Sequence, residues 1–143
     1  MLGLLALATA SIFFGAAVYI NIAEHPARLG LPDGAALAEW GPAYRRGFAM
    51  QAPIAVISAL LGAVAWWTTS DPLWAVGAVI MIANWPYTLL AIMPTNRLLE
   101  SIASVGDRDT REWLVRWGHL HAVRSGLSAV VTLIYLVAAQ RAL

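Results

Sequence analysis

Charge is absent from long stretches of this chain and gathers between them. Met1 to Ala23 is an uncharged run of 23 residues, Gly47 to Ser70 a run of 24 and Pro72 to Asn96 a run of 25. Each is long enough to cross the apolar core of a bilayer, which takes about 20 helical residues. The last run, Ser125 to Gln140, has only 16. A fourth span must therefore begin near Leu120 and carry His121 and Arg124 in its first turns. The pattern predicts four transmembrane helices, over about 2–23, 47–68, 73–94 and 119–140, in a single domain of residues 1–143. Lipid offers no partners to backbone groups, so the spans are expected as an all-α, integral membrane four-helix antiparallel bundle.

The connections differ in character. Thr68 to Pro72 reads as a tight turn between helices two and three. The first connection, about Pro26 to Tyr44, is rich in Gly and Pro and reads as irregular. In the third, Asn96 to Ser104 reads as a short amphipathic helix on the surface, ended by Gly106. Asp109, with Glu112 three residues on, reads as a capping box that starts the last helix.

Composition agrees with a membrane protein: 60% of residues are apolar and only 12% charged, half the charged share of a soluble domain. The net charge of +1 gives no reason to expect a nucleic-acid partner. With no Cys, disulfides, thiolate ligands and thiol redox chemistry are excluded. The N-terminus has no basic leader and is read as a retained helix rather than a cleaved signal. All nine basic residues are Arg. Arg28, Arg45, Arg46, Arg97, Arg108, Arg111 and Arg116 lie in or beside the first and third connections, and Arg141 lies at the other side. The positive-inside rule then puts both long connections in the cytoplasm and both termini outside, in a bacterial inner membrane. Trp66, Trp67 and Trp74 are expected in the outer aromatic belt, and Trp40, Trp113 and Trp117 in the inner one.

In such a bundle four helix ends meet on the cytoplasmic side, and polar residues concentrate there. Helix one brings Asn21, Glu24 and His25, with Arg28 on the same face. Helix two brings Tyr44, Arg45 and Gln51. Helix three brings Asn84, Tyr87, Thr88, Thr95 and Asn96, with Pro86 placed to kink it. Helix four brings Trp117, His121, Arg124, Ser125, Ser128 and Thr132. Ionisable groups inside a membrane are rare and usually face the bundle interior, so the stripes predict a cytoplasm-facing polar pocket. The competing reading is that these side chains only glue helices together, with Glu24 paired to Arg124, Arg45 or Arg46. His119 lies off the stripe and is expected at the surface.

Two chemistries suit the set. In one, His121 or His25 is a general base, Glu24 orients the imidazole, and Arg124 or Arg45 stabilises the enolate or phenolate that forms. A carbanion of that kind reacts with dioxygen directly, without a cofactor. In the other, His25, His121 and Glu24 ligate copper or iron; a bis-His haem between helices one and four also remains open. Asn21, Tyr44, Arg45, Gln51, Asn84, Tyr87, Asn96 and Trp117 are expected to contact the substrate, a hydrophobic molecule drawn from the bilayer. Small residues such as Ala6, Ala10 and Gly62 allow close packing within one chain or in a homo-oligomer.

Four segments resemble the anthrone oxygenase-like membrane proteins. They are Tyr19–Ile20–Asn21–Ile22–Ala23–Glu24–His25–Pro26, Trp40 followed by Tyr44–Arg45–Arg46, Pro94–Thr95–Asn96–Arg97–Leu98–Leu99, and Trp117 followed by His121 and Arg124. The resemblance implies a four-helix membrane protein that uses dioxygen to oxidise polycyclic anthrones to anthraquinones, with no obvious cofactor.

Overall fold

The computed structural model describes residues 1–105 and 109–141. Gly106 and Arg108, which the sequence reading used, lie outside the described residues, as does the side chain of Ser104. Among the described residues four long helical rods form. α1 is α-helical over Leu2–Tyr19 and His25–Leu29, with a π-helical turn, Ile20–Glu24, between them. α2 is Asp33–Thr69. α3 is α-helical over Pro72–Tyr87 and Met93–Val105, on either side of a second π-helical turn, Thr88–Ile92. α4 is Thr110–Arg141. All four are long and apolar enough to cross a membrane. The protein is an integral membrane protein of the all-α, four-helix class.

Short links force neighbouring rods to run antiparallel. Ser70, at φ 58°, ends α2 in the left-handed region. Asp71 then caps α3 by accepting from the Leu73 amide at 3.0 Å, and Pro72 fills the first helical position, where its missing N–H costs nothing. α1 and α3 each pack on both α2 and α4.

Small residues let the rods approach. Ala6, Ala10 and Ala17 of α1 and Ala55, Ala59 and Ala65 of α2 are buried, as expected where packing rather than the hydrophobic effect holds helices together in lipid. Tyr135 fills the centre of this half. Its ring occupies the space that a side chain at Gly62 or Gly77 would need, and its hydroxyl donates to the Ser58 carbonyl at 3.3 Å. Large side chains such as Ile12, Leu60, Val79 and Leu133 point outward.

A second apolar cluster closes the Arg-rich end, built from Ala36, Leu37, Trp40, Ile92, Leu99, Ile102, Leu114 and Trp117. It corrects several expectations. The first connection is helical except for residues 30–32, because Ala36, Leu37 and Trp40 form a stripe with packing partners, and that burial outweighs the Gly and Pro residues around it. Pro26 does not break α1. Residues 96–103 do not lie on the surface as a separate helix: they continue α3, with Leu99 and Ile102 buried. Trp40 and Trp117 belong to this core rather than to an interfacial belt, and Trp74 is buried against Gly3 and Tyr135 at the other end. Trp66 and Trp67 are exposed, as a belt requires. The expected start of the last helix is observed, with the Asp109 carbonyl accepting from the Trp113 amide at 3.2 Å.

Candidate functional site

The π-helical turn in α1 adds a residue to its turn. Asn21 there reaches across to α4, while His25 and Arg28 turn inward one turn later. The Asn21 amide is fixed by three bonds. Its Nδ2 donates to the Gly118 carbonyl at 3.0 Å. Its Oδ1 accepts from Ser125 Oγ at 2.7 Å and faces His121 Nδ1 at 2.8 Å. Since that oxygen only accepts, Nδ1 of His121 carries the proton, and a neutral ring keeps its lone pair on Nε2. His121 is 2% exposed and stacks on the Trp117 indole, with centroids 5.1 Å apart.

His25 has the opposite arrangement. Arg28 Nη1 lies 3.1 Å from its Nδ1. A guanidinium only donates, so Nδ1 accepts and a neutral ring has its proton on Nε2. That edge packs against Gly118, where a Cβ would come within 2.6 Å of the ring. His25 therefore offers no free lone pair to the space beside His121.

The two buried arginines also differ. Arg28 is bound by Glu24 and Glu39, so its charge is matched. Glu24 is thus engaged within its own helix rather than with Arg124, Arg45 or Arg46, and it orients neither imidazole. Arg124 forms no ion pair among the described residues, and its Nε has no hydrogen-bond partner. Its guanidinium sits over the Phe13 ring at 5.3 Å, a contact that offsets part of the cost of burying a cation.

Arg124 lines two small cavities. One, of about 20 Å³, also touches Glu24, Tyr44, Phe48, Gln51, Trp117 and His121. The other, of about 10 Å³, touches Phe48, Asn84, Trp85 and Thr88. The larger holds about one water molecule. Gln51 Nε2 and Asn84 Oδ1 are buried on these walls without partners. The expected polar pocket is therefore present but nearly closed.

The remaining expected residues divide. Tyr44 stacks on Trp40, with rings 5.3 Å apart. Tyr87 donates to the Leu120 carbonyl at 2.9 Å, tying α3 to α4. Asn96 accepts from Trp117 Nε1 at 2.9 Å and orients that indole. Arg45 is exposed and lines neither cavity. Ser128 and Thr132 bond only to carbonyls of their own helix. His119 is exposed, as expected. Glu39 was not foreseen, since only folding brings it to Arg28. Nor was Gly118, whose lack of a side chain makes room for His25.

The proposed metal set is not assembled. Among the described residues no three His, Asp or Glu side chains are grouped to hold an ion, and Glu24 is taken by Arg28. A haem between the imidazoles does not fit either. Both rings contact Trp117, and the cavity at His121, which His25 does not line, is about 20 Å³, against several hundred for a cofactor site (about 300 Å³ or more).

The His121 imidazole, the Arg124 cation, which forms no ion pair among the described residues, and the amide donor of Gln51 thus share one small space. That combination suits removal of a proton and stabilisation of the anion left behind. The family model for anthrone oxygenase matches residues 40–134, more than half of the chain. The chain belongs to the anthrone oxygenase family. The match includes Tyr44, Gln51, Asn84, Tyr87, Asn96, Trp117, His121 and Arg124, and it stops short of Asn21, Glu24, His25 and Arg28. Searches of the curated proteins and of the solved structures found no match.

Proposed function

We propose that this protein is a membrane monooxygenase that uses dioxygen to oxidise a hydrophobic, acidifiable small molecule of the anthrone type. The observation that carries the reading is Arg124, a buried cation that forms no ion pair among the described residues and shares a cavity with His121. An unpaired charge within a membrane is costly, and an anionic form of the substrate is the partner it lacks.

The chemistry follows from the two groups. His121 Nε2 takes a proton from the activated CH₂ that lies across the central ring from the carbonyl and is conjugated with it. The enolate oxygen so formed rests on Arg124 and the Gln51 amide. The carbanion passes one electron to dioxygen, and the two radicals combine to form a C–O bond. Protonation by the imidazolium gives a hydroperoxide, which loses water to leave a ketone. One oxygen atom stays in the product and the other leaves as water. The substrate supplies all four electrons, so the balance needs no further reductant. Asn21 holds the base in the required tautomer throughout.

The arginine distribution supports placing the site on the cytoplasmic side of an inner membrane, with both termini outside. Oxygen uptake with anthrone, measured on protein in lipid nanodiscs, tests the activity. His121→Gln is expected to lower kcat by about 100-fold or more, the usual contribution of a general base. Arg124→Gln is expected to fall similarly, with anthraquinone as the only product in the wild type. No uptake by the wild type, or undiminished uptake by His121→Gln, would sink the reading.

A further inference from the structure

A cavity of about 20 Å³ cannot admit the body of such a substrate. A groove of about 380 Å³ runs beside it, between α1 and α2. Its apolar walls are Ala16, Tyr19 and Ile20 from α1 and Ala43, Gly47 and Met50 from α2, and Glu24 and Arg46 are its polar members. Tyr19 is 59% and Met50 47% exposed, so the groove opens on the face turned to lipid. It shares Ile20, Glu24, Ala43 and Gly47 with the cavity that holds His121 and Arg124. The separating wall is thin. Gly47 has no side chain, and Ile20 Cδ1 lies 3.9 Å from where its Cβ would be. Ile20 is also the first residue of the π-helical turn.

We infer that this groove is the binding site for the body of the substrate. It takes a flat, apolar molecule with one acidic hydroxyl or enolisable ketone directly from the bilayer. The ring system lies between α1 and α2, and the reacting edge passes the Ile20–Gly47 wall to reach His121 and Arg124. Arg46, which forms no ion pair among the described residues, adds a positive charge on the side where an acidic group would enter. The size of the groove, its apolar lining and its shared wall with the base and cation select this occupant over a bare phosphate or a metal ion. The inference rests on the oxygenase reading for its choice of ligand.

The chain contains no cysteine, so one introduced thiol reports one position. Ala16→Cys places it in the groove, and Leu133→Cys places it on another exposed face of the bundle. Both variants in nanodiscs are treated with N-(1-pyrenyl)maleimide, with and without anthrone. Anthrone is expected to slow labelling of Ala16→Cys about fivefold at concentrations well above its dissociation constant, and to leave Leu133→Cys unchanged. A labelling rate of Ala16→Cys that anthrone leaves unchanged, or the same slowing at both positions, overturns the inference. Met50→Trp and, separately, Ala16→Leu narrow the groove at positions that do not line the cavity of His121 and Arg124. Each is expected to lower kcat/KM for anthrone by about tenfold or more while kcat at saturation changes little. Unchanged kcat/KM in both also overturns it. Protection without oxygen uptake upholds the groove and removes the oxygenase reading, whereas uptake without protection removes the groove alone.

Discussion

Gly118 decides where His25 can sit. A methyl group there would lie within 2.6 Å of the imidazole, and the ring is confined by Arg28 and Trp117. Gly118→Ala is therefore expected to destabilise the protein by about 1–3 kcal/mol, the usual cost of overpacking, seen as a lower thermal midpoint in detergent. Asn21→Leu is the sharper test of the base. It leaves His121 Nδ1, Ser125 and the Gly118 carbonyl without their partner, and a lost buried partner costs about 1–3 kcal/mol. It also frees the tautomer of His121, so kcat should fall with stability, whereas Asn21→Asp keeps an acceptor and should retain part of the activity. Equal kcat in Asn21→Leu and wild type would show that His121 needs no such support. The spacing of Asn21, Glu24, His25 and Arg28 put them on one face at the sequence level, and the short last span put His121 and Arg124 at their depth. Which partner each one takes was not legible. Glu24 and Arg28 are four residues apart, and proximity along the helix prevailed over the cross-helix pairs that the charges alone also permit. Glu39 joins them only because α2 begins at Asp33, far earlier than its uncharged run suggests.

The site depends on two irregular turns, one in α1 and one in α3. A π-helical turn holds one residue more than an α-helical turn and so rotates everything before it relative to everything after it. Deleting Ala23 would close the wide turn to an α-helical one and shift Asn21, which lies inside it, away from the position where it meets Gly118, His121 and Ser125. The variant is expected to keep its helical circular dichroism and its place in the membrane. Its oxygen uptake should fall about 100-fold or more, since a displacement of about 1 Å can have that effect. Full activity in the deletion would mean that the turn has no part in the chemistry. Neither turn was visible in the sequence. Pro86 marks a disturbance in α3, because it leaves one carbonyl of the preceding turn without its amide, but nothing in residues 20–24 marks the one in α1. The tight turn at Ser70–Asp71–Pro72 was legible, because the Asp71 side chain and Pro72 act locally, and α4 does begin where expected, at Thr110. The helical stretch from Asp33 to Trp40 was not, because its stability comes from packing on α3 and α4.

At the scale of the whole molecule, the polar and apolar halves divide the bundle. Tyr135, Ser58 and the small residues of α1 and α2 make one end a tightly packed anchor, while most of the charged groups collect at the Arg-rich end. That division was legible from charge-free runs and arginine positions, because burial in lipid constrains composition strongly. The near closure of the pocket was not, because it depends on how Trp117, Phe48 and Tyr44 fill space. The same division makes a topological prediction. If arginines hold their end in the cytoplasm, Ser70→Cys, in the turn between α2 and α3, should react with a membrane-impermeant maleimide in intact cells. Glu112→Cys, exposed near the start of α4, should react only after the membrane is opened. The reverse order would place His121 and Arg124 toward the outside.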